Sequence, residues 1–412
     1  MARVGAVLAV LLLMLVLVPG HGLADEDEME MYSIAALEQI EPIASADPGI
    51  NKVDMRSSGD ILLLVGADGY AHIIDAENPG ERSEDIALSS GKDEEFNAVS
   101  WHPQGQTAFI VGENGMVMRL TMDDLALKTV EGRGALEAEQ MMAVEWNRNG
   151  DTAYLGGENG SLFRYDAQNA FTRMDKSESP ITGLDCHPNP DTRLCVVTSA
   201  GDGASVIDSF HEVHPVSNTA GDTWVDVVCP TTTQDVCLLI GSGKRLALLY
   251  LDVEEPEKSA INNPEVLSTL EGELTGGSLM GDGSVSLHIA PYSIATYDLD
   301  EAMAWAVVVK KDAQEVGSLG SSVMVHAWGS ADDSGFILSS NGLLAEMTPI
   351  DEVREDDLMS KAIILLVVIS IPGVFVGLVF MNSKTLQGWW NRMAAKRRQR
   401  KIARLTPVEA ED

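Results

Sequence analysis

Basic residues are scarce in this chain: 28 lysines and arginines stand against 63 aspartates and glutamates, for a net charge of −35 over 412 residues. Phosphate would be repelled over most of such a surface, which excludes nucleic acid as a partner. Aromatics make up only 5% of the residues, and there are four cysteines, with no close Cys-x-x-Cys pair to nucleate a zinc site. Also absent are a Gly-x-Ser-x-Gly elbow, a His-Glu-x-x-His helix, a glycine-rich phosphate loop ahead of a helix and a twelve-residue calcium loop. No cofactor is therefore expected. Acidic runs such as Asp93-Glu94-Glu95 lack ligand spacing and read as solvated surface.

Long apolar runs are confined to the two ends. Val4 to Val18 follows the lone Arg3, is broken by Pro19-Gly20, and gives way to Gly22-Leu23-Ala24 and an acidic run. That layout predicts a signal peptide over 1–24, cleaved after Ala24. No cysteine follows it, so a lipid anchor is not indicated. The second run, Ala362 to Met381, spans about 30 Å as a helix, the thickness of a bilayer core. Acidic residues precede it and KRRQRK follows it, so the positive-inside rule puts the tail in the cytoplasm. The expected plan is an extracytoplasmic domain over 25–350, an acidic stalk at 351–360, a transmembrane helix at 361–382 and a basic tail at 383–412. In the tail, Trp389 and Trp390 suit the membrane interface, and Arg397 and Arg398 suit anionic lipid.

Between the ends the chain repeats itself. FNAVSWHPQGQTAFIVGENGMVMRLTMDD, from Phe96, returns as MMAVEWNRNGDTAYLGGENGSLFRYDAQN, from Met141, with Trp101 and Trp146 45 residues apart. Each unit reads as a short apolar strand, a turn, a second strand, an Asn-Gly turn suited to positive φ, and a third strand that alternates. A variable segment supplies a fourth. A period of 40–50 residues built this way predicts β-propeller blades. Seven first strands are expected, centred near Met55, Trp101, Trp146, Cys186, Cys229, Met280 and Trp328. The sixth unit matches worst, with Pro291-Tyr292 at its tight turn and 302–309 as its fourth strand. The seventh ends near Ile350 one strand short, and Tyr32–Ile43, which has no repeat partner, is expected to pair beside 343–347 and close the ring.

These repeats resemble those of WD-repeat and related seven-bladed propellers, and AVSWHPQGQTAFIVGENGMVMRL is especially similar to photosystem II assembly factor-like blades. The Gly-His and Trp-Asp dipeptides of WD repeats are missing, and the sialidase-type Asp-box is echoed only in SNTAGDTW, with Thr219 in place of the aspartate. The fold expected is all-β, a seven-bladed propeller carried on one C-terminal transmembrane α-helix. The resemblance also implies a role as an assembly factor for a membrane complex.

Cys186 and Cys195 flank one first hairpin and Cys229 and Cys237 another, which predicts the bonds Cys186–Cys195 and Cys229–Cys237 in an oxidising compartment. His102 and His187 recur at one position before proline, which argues for a turn role. His211 and His214 are expected on an outer strand, pointing to opposite faces. Asn159-Gly160-Ser161 is a glycosylation sequon, but its asparagine is explained by the turn. The channel strands offer Ser100, Glu145, Asp185 and Asp226, and Glu145, Asp185 and Asp226 are the candidate metal ligands. Two functions compete. One is a non-catalytic scaffold at the cell membrane that binds a protein or a glycan. The other is a membrane-anchored hydrolase or quinoprotein with its site at the channel.

Overall fold

The computed structural model describes residues 32–350, apart from 231–232, 292, 317–321 and 330–333, together with residues 381–405. Seven antiparallel sheets follow one another from Ile50 to Pro349, each with its strands in order from the axis outward. We letter these strands a to d. Blade two shows the plan: Phe96–Trp101, Thr107–Gly112, Met116–Thr121 and Ala126–Thr129.

The second strands read as unbroken apolar runs because both of their faces are covered. In Ile61–Gly66, Leu63 and Val65 pack toward blade two, while Leu62 and Leu64 pack toward blade seven. In Thr107–Gly112, Ala108 and Ile110 face blade one, and Phe109 and Val111 face blade three. All seven hydrophobic clusters straddle neighbouring blades. A blade therefore has no core of its own, and stability is a property of the ring.

Turn chemistry follows the sequence closely. Asp68 and Asn114 sit at φ +51° and +55°, followed by Gly69 and Gly115 at +68° and +61°, the pair of left-handed residues that a two-residue hairpin needs. A Cβ on Gly69 would lie 2.2 Å from the Lys92 carbonyl oxygen, so that turn admits only glycine.

The ring closes as expected. Ala35–Gln39 pairs antiparallel with Leu344–Pro349, with Leu37 opposite Met347, and completes blade seven. The sixth blade is regular despite its sequence. Val285–Ala290 and Ser293–Asp298 pair across the Pro291 turn, and Met303–Val308 is its fourth strand. The aromatic and cysteine landmarks do not mark strand centres, however. Met55, Trp101, Trp146, Cys186 and Trp328 are the last residues of their a strands, while Cys229 and Met280 lie just beyond theirs.

The expected signal peptide (1–24), the stalk (351–360) and all but the last two residues of the expected spanning segment (361–382) lie outside the described residues. Among the described residues no helix is long and apolar enough to cross a membrane. The tail forms a separate unit with a polar helix, Lys384–Leu405, on which Trp389, Trp390, Arg397 and Arg398 are exposed.

Candidate functional site: the axial channel and the exit rim

All seven a strands carry the same irregularity. Their register shifts near the start of the strand, between Ile50 and Lys52, Phe96 and Ala98, Met141 and Ala143, Ile181 and Gly183, Trp224 and Asp226, Leu274 and Gly276, and Met324 and His326. Such a bulge bends the strand and re-aims the residues after it. Here it helps to line a cavity of about 570 Å³ that includes Lys52, Asp54, Glu145, Asp185, Asp226, Ser278 and His326.

Most of these polar groups already have structural work. Asp54 Oδ2 accepts from the backbone N–H of Trp101 (2.6 Å), Ser100 Oγ from that of Trp146 (3.2 Å), Asp185 Oδ2 from that of Cys229 (2.7 Å) and Ser278 Oγ from that of Ala327 (3.2 Å). Each bond brackets one blade to the next. Asp226 stands two residues earlier in its strand, beside Lys52 Nζ (3.6 Å), and accepts from the Gly277 N–H at 3.3 Å. His326 Nδ1 lies 3.0 Å from Ser278 Oγ, and its Nε2 is sealed from solvent without a partner.

The channel is electrostatically uneasy. Burial, then the nearby Asp185 and Asp54 carboxylates, pushes Glu145 well up. Burial also raises Asp185 to about 7 and Asp54 to about 6, and the backbone bonds they accept oppose it. The carboxylates around Lys52, Asp226 first, raise its ammonium pKa. Burial holds His288 and His326 down to about 3, so both are neutral. The carboxylates named from sequence do line the channel, but they do not converge as ligands. Among the described residues, the set that brings its ligand atoms within 4.8 Å of one another is Asp208, Glu212 and His214, in the c–d turn and the d strand of blade four. Lys52, Asp54, Ser278 and His326 also line the channel and are not among the residues named from sequence.

The repeated histidines are turn residues. Each accepts at Nδ1 from a backbone N–H two residues on, of Gln104 or Asn189, at 3.2 Å. Nε2 therefore carries the proton and donates to the next blade's turn, from His102 to Gly150 O (2.8 Å) and from His187 to Gln234 O (2.9 Å). His211 departs from expectation. It sits in the c–d turn at φ +67°, with Nδ1 2.7 Å from Tyr154 Oη, because Asp208 gathers that turn. His214 is on strand Val213–Pro215, paired with Asp208. The bonds Cys186–Cys195 and Cys229–Cys237 are both formed.

The two rims differ. One is built from a–b and c–d turns, the other from b–c turns and the links between blades. The first is also where the chain leaves blade seven at Pro349, and we call it the exit rim. Of the exposed large apolar side chains in the described ring, Leu125, Phe210, Tyr250, Val253, Leu279 and Met303 lie on the exit rim, while Tyr32 and Ile34 flank Ser33, which bonds Val309 and Asp312 in the link after blade six. Val266 and Val323 lie on the other.

Comparison with solved structures places this architecture among known propellers. The chain is similar to the β-propeller domain of Cps50 (Swd1) from Myceliophteria thermophila, with a TM-score of 0.57 and 10% identity over 76% of this chain and 100% of that one. At that identity the likeness concerns the fold alone. No family model matches the chain, and no curated protein matches it in sequence.

Proposed function

We propose that the chain is a non-catalytic scaffold. A seven-bladed ring is held at the membrane on the extracytoplasmic side by the apolar segment at 361–382, and it offers its exit rim to a protein partner. The observation that carries this reading is the contrast between rim and channel. The channel's polar groups are largely spent on bracketing blades, whereas exposed apolar side chains gather on one rim. Turns on a rigid ring suit recognition. The two disulfides support an oxidising compartment. A role in assembling a membrane complex would be one form of this function.

The raised carboxylates favour a second reading, since perturbed groups in a cavity are a mark of catalytic sites. In that reading Glu145 and Asp185 would do acid–base work at the channel. One experiment separates the two. Glu145→Gln with Asp185→Asn, and separately Phe210→Ser with Tyr250→Ser, are compared for partner capture from membranes and for bound metal. Capture lost only in the rim variant supports the scaffold. Intact capture in the rim variant, with metal lost from the channel variant, supports the enzyme.

A further inference from the structure

Blades four and five differ from blades one to three on the exit rim. Their a–b turns run longer than those of blades one to three, where the strands part at Met55 and Leu62, Trp101 and Ala108, and Trp146 and Ala153. Each longer turn is stapled at its root by a disulfide. The two turns are also tied together, by Thr192 Oγ1 donating to Asp235 Oδ1 (2.9 Å) and by His187 to the Gln234 carbonyl. Gln234 Nε2 in turn donates to Asp300 of blade six (3.0 Å).

Apolar side chains stand out on this braced surface. Phe210 is 81% exposed, Tyr250 51% and Val253 39%. Phe210 is nonetheless held, because Asp208 Oδ1 accepts from the N–H groups of both Phe210 and Glu212 at 2.8 Å. The turn Pro256–Lys258 of blade five packs against Ala204–Ile207 and Val213–Pro215 of blade four. Beside them a cavity of about 380 Å³ is lined by Tyr250 and Val253 together with Asp235, Asp252, Glu254 and Lys258. Asp191, Glu255 and Glu257 add negative charge nearby. Of the cations there, Arg193 and Lys258, the latter is paired with Glu255.

We propose that the exit rim over blades four and five docks a basic peptide segment of a protein partner, one that carries an apolar anchor residue. This inference rests on the scaffold reading and names its partner class. The anchor packs on Tyr250 and Val253, and lysine or arginine side chains of the segment meet Asp235, Asp252 and Glu254. An aromatic centre with a charged border is the usual anatomy of a binding hot spot. The disulfides and inter-turn bonds fix the surface beforehand, which lowers the entropy lost on docking.

The test uses the full chain in detergent and three fluorescein-labelled twelve-residue peptides, read by anisotropy. One alternates lysine with leucine around a tryptophan. A second has glutamate for lysine, and a third has serine for the apolar residues. The first should bind, and bind at least tenfold more tightly than either of the others. Tyr250→Ser with Val253→Ser should weaken it at least tenfold at any salt. Asp235→Asn with Asp252→Asn and Glu254→Gln should weaken it as much, while removing most of its salt dependence. Val323→Ser, on the opposite rim, should change nothing. Absence of binding, equal binding of the serine peptide, or unchanged binding by the blade four and five variants overturns the proposal. If those variants still capture a partner from membranes that other exit-rim substitutions release, this site falls and the scaffold stands. If no rim substitution affects capture, both fall.

Discussion

Blades two and three end their inner strands on tryptophan, and blade four ends its inner strand, and blade five follows its own, with cysteine. Trp101 and Trp146 occupy the place held by Cys186 and Cys229. In the first pair the gap above the next turn is filled by rings: Trp146 lies 4.7 Å from Phe109 and 4.9 Å from His102, centroid to centroid. In the second pair the ring is absent and a disulfide fastens the hairpin instead. One structural demand has two chemical answers. In blades two and three, aromatic packing goes with a short a–b turn continuous with the core. A covalent staple allows a longer turn to stay ordered with less core beneath it, and that freedom is what blades four and five use at the rim.

Opening the ring would break the comparison outright. Deleting residues 25–43 removes the strand Ala35–Gln39 and uncovers blade seven, so the melting midpoint should fall by about 10 °C or more. An unchanged midpoint in calorimetry would make the segment a loose arm. Next in size is Trp146→Ala, expected to cost about 3–5 kcal/mol in denaturant unfolding, because Trp146 is only 6% exposed and its neighbours cannot collapse into the gap. Replacing Cys186 and Cys195 with serine should cost about 2–3 kcal/mol, as expected for closing so short a loop. If the staple proved worth more than the tryptophan, the two answers would not be equivalent.

A smaller effect concerns the brackets. Asp185, raised to about 7, binds its proton more tightly in the folded than in the unfolded chain. Its unfavourable ionisation is absent at about pH 4 and grows until the pH passes the folded value. Asp185→Asn, which still accepts from Cys229 N–H, should therefore match the wild type near pH 4 and become the more stable of the two above about pH 7. His288 and His326, held down to about 3, destabilise the fold as pH falls below their unfolded value, so the difference between variants is the quantity to read. A constant difference across pH would remove Asp185 from the account. Smallest of all, Phe210→Ser should change stability by less than about 0.5 kcal/mol, since that ring is mostly in water.

Much of this was legible in the sequence, for physical reasons. Two faithful repeats reveal a period, Asn-Gly reveals a hairpin, and an orphan strand at one end with a missing strand at the other reveals closure. Cysteines at matched repeat positions reveal their bonds. The channel was legible only in part. Asp185 and Glu145 are legible as candidate metal ligands, and in the structure Asp185 also accepts a neighbouring blade's amide. Asp226 stands two residues earlier in its strand than Asp185 does, at the place of Gly183. Lys52 and Asp54 were missed because the first unit has no aromatic landmark. Phe210 was missed because an isolated phenylalanine between polar residues, in Asp-Ser-Phe-His-Glu, looks like part of a loop.

The central claim, that the ring works through its exit rim and not through its channel or its other face, meets its most direct test in site-specific photocrosslinking. A photoreactive phenylalanine analogue is placed at Phe210 or at Asn114, on opposite rims, in the full chain in its native membrane. The account predicts a discrete crosslinked protein from position 210 and none from position 114. A crosslink from 114 alone, or the same product from both positions, would contradict it.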